Sequence, residues 1–347
     1  MKTRDYSLDI LRILACVMVV GIHTTMEGWY NISPRSYNWI VLNFYDTLVR
    51  PAVPLFFMIS GALFLSKESI DIKKLWTKNI LHLFIIYIIW VVFYAVMNNG
   101  VHKVLADPSI VWNEVIGPNP QYHLWYLREL MNCYAVAPLL WHLVRALDRK
   151  GVRYFLTLFL IFGILRMTVA DLPFLPKWIL EQINLFINMD FVGYVGYFLL
   201  GYFLYTGFIK LSRGKLWIAY AVTTIAAAGL NQLMANAADW PTQALYGNFT
   251  LPVMIEACCL FLLARSYYAE KSFEGGKAAF IKRLSGATLF VYLIHPCVLT
   301  RLQIHFRLYT TNYNVLFSVP IFTIGVFIVS AAAGMLLERV PLLRRIL

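Results

Sequence analysis

Residues 313–337, YNVLFSVPIFTIGVFIVSAAAGMLL, run for twenty-five positions without a charged side chain. At ~1.5 Å per residue, a helix of that length exceeds the ~30 Å hydrocarbon core of a bilayer. FVGYVGYFLLGYFLYTGFI (191–209) and LWIAYAVTTIAAAGLNQLMA (216–235) are also long enough to span. In hydrocarbon every backbone N–H and C=O must find its partner inside the segment, which restricts such runs to helices. Composition agrees: 60% of the chain is hydrophobic, only 14% is charged, and the mean hydropathy is +0.65. A soluble domain carries roughly a quarter charged residues. The apolar residues come in blocks, not in alternation or heptads. The fold class is therefore all-α, a polytopic membrane protein.

About ten transmembrane helices are expected, near residues 8–26, 39–65, 80–97, 124–146, 153–170, 191–209, 216–235, 249–265, 286–304 and 313–337. With the amino terminus inside, 22 of the 30 Lys and Arg fall in cytoplasmic segments, as the positive-inside rule requires. Both termini then face the cytoplasm. The net charge of +12 is thus a topological signature and not a nucleic-acid footprint. It suits anionic head groups of membrane lipid, or an anionic cytoplasmic cosubstrate. Residues 1–347 read as one integral-membrane domain with no fused soluble domain. The first apolar stretch carries Arg12 and His23 and has no small-residue cleavage site, so it is expected to stay as the first helix.

Three longer pieces lie between spans. Residues 98–123, with Pro108, Pro118 and Pro120, are expected as an ordered outer loop; 171–190 as a short amphipathic helix along the outer interface; and 266–285 as cytoplasmic. The five cysteines all fall within spans, without disulfide or metal spacing, and are assigned to packing.

Ionisable side chains at lipid depth are costly unless they serve a site. Arg12 and His23 both lie in or beside LRILACVMVVGIHTT (11–25). Eleven helical steps leave them about 20° apart around the axis and about 16 Å apart along it. A guanidinium near one surface and an imidazole deeper on the same stripe point to a functional track. The bland alternative is a snorkelling Arg and a His bonded to a neighbouring helix. In DTLVRPAVPLFFMISGALF (46–64), Asp46 and Arg50 stand at i,i+4 and can neutralise each other, as a structural salt bridge or around a substrate. Pro51 and Pro54 suggest an irregular helix, and Ser60-Gly61 suggests close helix packing. YHLWYL (122–127) puts His123, Trp125 and Tyr126 at an interface, as an aromatic belt or as a surface for sugar stacking. In VYLIHP (291–296), His295 is either a satisfied helix-end histidine or a group lining the site. There is no phosphate loop, dinucleotide fingerprint or HExxH pattern, and no metal is expected.

These stretches together resemble the acyltransferase-3 family of multi-pass membrane acyltransferases. The resemblance is carried by the Arg-x10-His spacing of Arg12 and His23, by VPLFFMISGALF (53–64), HLWYL (123–127) and YLIHP (292–296), in the family's order. Within the family it is most similar to the stand-alone O-acetyltransferases of surface polysaccharides such as enterobacterial common antigen. The resemblance implies an acyl-CoA cosubstrate (acetyl-CoA) in the cytoplasm. It also implies a hydroxyl acceptor on a surface polysaccharide or lipid-linked glycan, and a place in the bacterial inner (plasma) membrane. Arg12 and the cytoplasmic lysines would then hold phosphates, and His23 would act as general base or as a transient acyl carrier. Arg50, His123, Trp125, Tyr126 and His295 would contact substrate. The family often has Arg-x-x-Arg before the third span; here Asn79 and His82 stand in those places, so Lys74 and Lys78 must supply the charge beside His82. Glu27, one turn beyond His23, either orients the imidazole or is a solvated helix-end carboxylate, with the second favoured, and Arg50, Tyr126 or backbone amides are candidates for the oxyanion. The strongest rival is a secondary transporter of a small polar or anionic solute, which inverted repeats would favour; no internal symmetry is visible. Homo-oligomerisation is left open.

Overall fold

The computed structural model describes residues 4–117, 121–170, 172, 176, 178–179, 181–182 and 193–337, and among these there is no strand. The helices are α1 (Tyr6–Thr25), α2 (Tyr37–Val49), α3 (Ala52–Leu65), α4 (Ile72–Asn99), α5 (Val101–Ala106), α6 (Ser109–Ile116) and α7 (Trp125–Ala146). They continue with α8 (Arg149–Ala170), α9 (Gly193–Tyr205), α10 (Arg213–Ala238), α11 (Leu251–Tyr268), α12 (Gly275–Phe306) and α13 (Val315–Leu337). Among the described residues, eight helical stretches are long and apolar enough to cross a membrane. Two of the ten expected spans lie outside that set: α7, which carries Arg128, Glu129 and Arg145, and α9, which has 13 described residues. Pro118, Pro120, most of 171–190 and the carboxy-terminal Arg339, Arg344 and Arg345 lie outside the described residues.

Short polar residues start the helices by occupying backbone N–H groups that have no helical partner. Asp5 accepts from Ser7 N at α1, Ser36 from Trp39 N at α2, Asp71 from Lys74 N at α4 and Asp148 from Gly151 N at α8. Proline shapes the interiors. The expected single span 39–65 is two helices, because Pro51 has no N–H to continue the ladder past Arg50. Single π-turns, which widen the helix by one residue per turn, interrupt α4 over Leu75–Ile80 and α8 over Phe159–Leu165. Within the 98–123 piece the described residues form α5 and α6, where an ordered loop was expected. Gly100, at φ 84, turns the chain out of α4, and Asp107 Oδ1 accepts from both Ser109 N and its hydroxyl. Helix α12 begins at Gly275, eleven residues before the apolar run that marked it.

The chain divides into two compact units: residues 1–63 with 148–335, and residues 64–147 with 336–347. In the first unit α1 packs against α12, α2 and α11, and α10 packs against α11 and α2. Cys16, Val20, Val291, Leu299, Val326 and Phe327 form a buried seam of α1, α12 and α13. Cys16 packs there, with its S–H towards the Thr288 carbonyl. Glycines set the tightest crossing. A Cβ on Gly61 would stand 1.8 Å from the Phe198 carbonyl oxygen, and one on Gly201 would stand 2.1 Å from that of Met58. Helices α3 and α9 thus touch backbone to backbone, as small residues permit in membranes. At one end of the unit Trp29 and Trp39 are buried with ring centroids 4.9 Å apart, together with Leu42, Leu245 and Tyr246. Outward, Ile218, Val222 and Ile225 on α10 and Ile321, Ile324 and Ile328 on α13 are exposed. These one-sided apolar faces are surfaces for lipid tails. In the second unit α4 packs against α6 and α7.

Candidate active site

Helix α1 carries Arg12 and His23 on one uninterrupted run, capped at Met26, whose N–H still reaches the Ile22 carbonyl. His23 stacks on His295 of α12, ring centroids 5.1 Å apart and planes at 26°. Proline has no N–H, so Pro296 opens the turn before it, and the buried His295 ring turns back with Nδ1 3.0 Å from the Val291 carbonyl. A carbonyl can only accept, so Nδ1 carries the proton and in the neutral ring Nε2 holds the lone pair.

Eleven residues below His23, Arg12 is half-buried and makes no ion pair with a described residue. The nearest carboxylate on its own helix, Asp9, is taken: Arg4 grips both its oxygens at 2.6 and 2.9 Å, and Ser285 donates to it at 2.8 Å. The hydrogen bonds it donates to Asp9 hold the Arg4 guanidinium above its ordinary value.

The Asp46–Arg50 pair forms as its spacing suggests. Asp46 is fully buried; Arg50 Nε and Nη2 donate to its Oδ2 at 2.8 and 2.5 Å, and the Thr25 hydroxyl to its Oδ1 at 3.0 Å. The guanidinium also lies 5.4 Å from the Tyr246 ring centroid and reaches the Tyr246 carbonyl at 3.5 Å. Behind it, Tyr246 Oη accepts from Thr47 and donates to Asn43 Oδ1, which also accepts from Asn231. Burial pushes the Tyr246 hydroxyl up, so it stays protonated and can both give and take. This network ties α2, α10 and the 239–250 loop together. Glu27 is not solvated as expected: it is half-buried, with Oε2 accepting from Thr310 N at 3.1 Å and Thr310 Oγ1 at 2.9 Å. The long connection after α12 folds back over the end of α1 and supplies those donors.

Two polar groups, the half-buried Gln243 and the buried Glu256, escaped the reading of the sequence. Gln243 Nε2 donates to Met26 Sδ at 2.7 Å, and Arg50 Nη2 donates to the same sulfur at 3.2 Å. Glu256, fully buried on α11, accepts from Thr224 Oγ1 at 2.8 Å. For Glu256 a signal existed, a lone carboxylate inside LPVMIEACCLFLLA; for Gln243 there was none.

The other candidates belong to the second unit. His123 is buried edge-on to Tyr94, centroids 5.1 Å apart at 80°, and next to Tyr122 at 5.4 Å. Trp125 and Tyr126 lie edge to face at 6.5 Å where α7 begins. Lys74 and Lys78 are exposed and His82 is half-buried at the other end of α4. Sixteen residues separate Lys78 from Tyr94, about 24 Å of helix. The basic end is dense: Lys67 sits 3.8 Å from the Phe64 ring centroid and is held below the usual lysine range by burial and by the charge of Lys74. Arg145 donates to the Lys67 carbonyl at 2.8 Å. The structure thus joins His23 to His295, sets Arg50 on Met26, and keeps His123, Trp125 and Tyr126 far from Lys74, Lys78 and His82 within their own unit. Among the described residues, no three His, Cys, Asp or Glu side chains are grouped to hold a metal ion.

No solved structure matches this chain. Over 134 residues it is 32% identical to an amino-acid racemase of Enterococcus faecalis, covering 36% of this chain and 18% of the racemase. Over 168 residues it is 29% identical to a second amino-acid racemase match from the same organism, covering 47% of this chain and 22% of that protein. The chain therefore spans about a fifth of the length of the curated relatives it matches. The family model described as an acyltransferase domain matches residues 5–338, nearly the whole chain. With histidines stacked between two helices of membrane-spanning length and a match over residues 5–338, the chain belongs to the acyltransferase-3 family.

Proposed function

We propose that this membrane acyltransferase moves an acyl group, most simply acetyl, from cytoplasmic acyl-CoA to a hydroxyl of a surface polysaccharide or lipid-linked glycan on the outer side of the bacterial plasma membrane. The observation that carries the reading is α1 itself: Arg12, with no ion pair to a described residue, and an imidazole, His23, about 16 Å apart on one face of one helix. That separation suits an anion at one end and an extended thioester arm reaching the other. Arg12 meets a phosphate of the donor, while Lys74, Lys78 and His82 draw the anionic donor to the cytoplasmic surface. His23 Nε2 or Nδ1 takes the acceptor proton as the hydroxyl oxygen attacks the thioester carbonyl. A C–O bond forms, the C–S bond breaks, and the proton passes from the imidazole to the departing thiolate, so free CoA leaves as the thiol. His295 supports the His23 ring by stacking, and His123, Trp125 and Tyr126 offer an aromatic surface to a sugar ring. The orientation that fits is both termini inside, which places Arg12 on the donor side.

Mass spectrometry of the host's surface glycans, with the unaltered protein and with His23→Ala at equal protein level, tests this. The unaltered protein adds one acyl mass to a glycan and the variant adds none; acylation by His23→Ala refutes the assignment. The buried Asp46–Arg50 pair and the histidines of α1 and α12 would also suit one other reading, passage of a small polar or anionic solute across the bilayer. Solute flux in proteoliposomes without any thioester would support it, and cleavage of acetyl-CoA would refute it as the main activity.

A further inference from the structure

Two N–H donors from distant parts of the chain converge on a single weak acceptor. Arg50 Nη2 lies 3.2 Å and Gln243 Nε2 2.7 Å from Met26 Sδ. A thioether is a poor hydrogen-bond acceptor, whereas guanidinium and carboxamide N–H groups are strong donors. Such donors aimed at one point are what a developing oxyanion requires.

The point they mark lies beside His23. Met26 follows it by three residues, so the two side chains are neighbours on α1, and helical side chains lean towards the amino terminus, which tips Met26 back over the His23 turn. Both donors are held in place before any substrate arrives. Arg50 is fixed by Asp46 and by the Tyr246 ring. Gln243 sits on a loop whose neighbours Leu245 and Tyr246 are buried, and its carbonyl accepts from Tyr246 N at 2.9 Å. Met26, Arg50 and Gln243 are all half-buried, so a substrate can reach them. Methionine is unbranched and turns freely, which suits a group that must give way.

We propose that Arg50 and Gln243 form the oxyanion site of the transferase, with the Met26 thioether resting where the thioester carbonyl oxygen comes to lie. The proposal rests on the acyl-transfer reading above. As the acceptor oxygen bonds to the carbonyl carbon, the carbonyl electron pair moves onto its oxygen, between Nη2 and Nε2. It returns when the C–S bond breaks and the thiolate takes the proton from His23. Gln243 is thereby a catalytic residue with no role in holding the CoA moiety.

The test uses the full-length protein in proteoliposomes, radiolabelled acetyl-CoA as donor and a membrane glycan extract of the host as acceptor. Gln243→Ala lowers kcat about 10²-fold with KM for acetyl-CoA nearly unchanged. Gln243→Glu, equal in size but with an acceptor in place of the donor, is at least as slow. Met26→Gln supplies a strong oxygen acceptor that ties up both donors, and it is about tenfold or more slower than Met26→Leu, which supplies none. The proposal is overturned if Gln243→Ala keeps kcat within about threefold, if Gln243→Glu restores it, or if Met26→Gln matches Met26→Leu. His23→Ala in the same assay separates the two levels. If it is inactive while Gln243→Ala is fully active, only the oxyanion assignment falls. If His23→Ala transfers label, or the unaltered protein transfers none, the acyl-transfer reading falls with it.

Discussion

Replacing Asp46 by Ala removes the counter-ion of Arg50 and two hydrogen bonds, at 2.8 and 2.5 Å, together with the acceptor of the Thr25 hydroxyl. The side chain of Asp46 is 0% exposed and that of Arg50 15%, so little water can take over those bonds. Breaking a buried pair from one side costs about 3–5 kcal/mol, because the remaining charge stays buried without compensation. Arg50→Met should cost a similar amount from the other side, leaving a carboxylate with only Thr25. The double variant Asp46→Leu with Arg50→Met removes both charges and refills the space. It is expected to be more stable than either single variant, which requires an interaction energy above about 3 kcal/mol. The assay is thermal unfolding of the four proteins of this cycle in detergent, followed by size-exclusion fluorescence. Additive costs, or single variants within about 1 kcal/mol of the parent, would refute the pair as the fastener of this corner. A second readout distinguishes folding from chemistry. The refolded double variant still lacks the Arg50 N–H, so its acyl transfer should stay about 10²-fold down although its stability has recovered.

Gly201→Ala would place a Cβ 2.1 Å from the Met58 carbonyl oxygen and 2.4 Å from Met58 Cα, which no side-chain rotation relieves; the monodisperse protein peak should be lost. Gly229→Ala, mid-helix with nothing within 4 Å of its Cβ, should raise thermal stability by up to about 1 kcal/mol. Lys74→Ala and Lys78→Ala should each raise KM for acetyl-CoA about fivefold at low salt, with little effect at 0.5 M salt and none on kcat. Equal effects at both ionic strengths would exclude long-range attraction. His295→Ala should lower kcat by unseating the His23 ring, and His295→Phe, which keeps a stacking surface, should recover part of it. A Phe variant no better than Ala would show that stacking does not set the position of His23.

What could be read in the sequence was local in origin. Charge-free length gave the membrane class, and the i,i+4 step from Asp46 to Arg50 gave a pair that the structure forms. The pairing of His23 with His295 and the meeting of Gln243 with Met26 were not legible, because they join positions 272 and 217 residues apart on helices and loops of different origin. An amphipathic soluble helix announces its inner face by an apolar stripe; a membrane helix such as α12 or α13, apolar on every side, does not. Position in the chain therefore says that His295 is deep but not what it faces. The polar exceptions carry the missing information. Each buried donor in the first unit needs an acceptor because lipid offers none: Thr25 finds Asp46, Asn231 finds Asn43 and Thr224 finds Glu256. Judged by that demand, Arg50 and Gln243 make an unusual pair, both directing an N–H at the one Met26 sulfur. An arrangement selected for stability alone would put an oxygen at that point. A sulfur that yields to an arriving oxygen is what a site tuned to a transient negative charge would hold there.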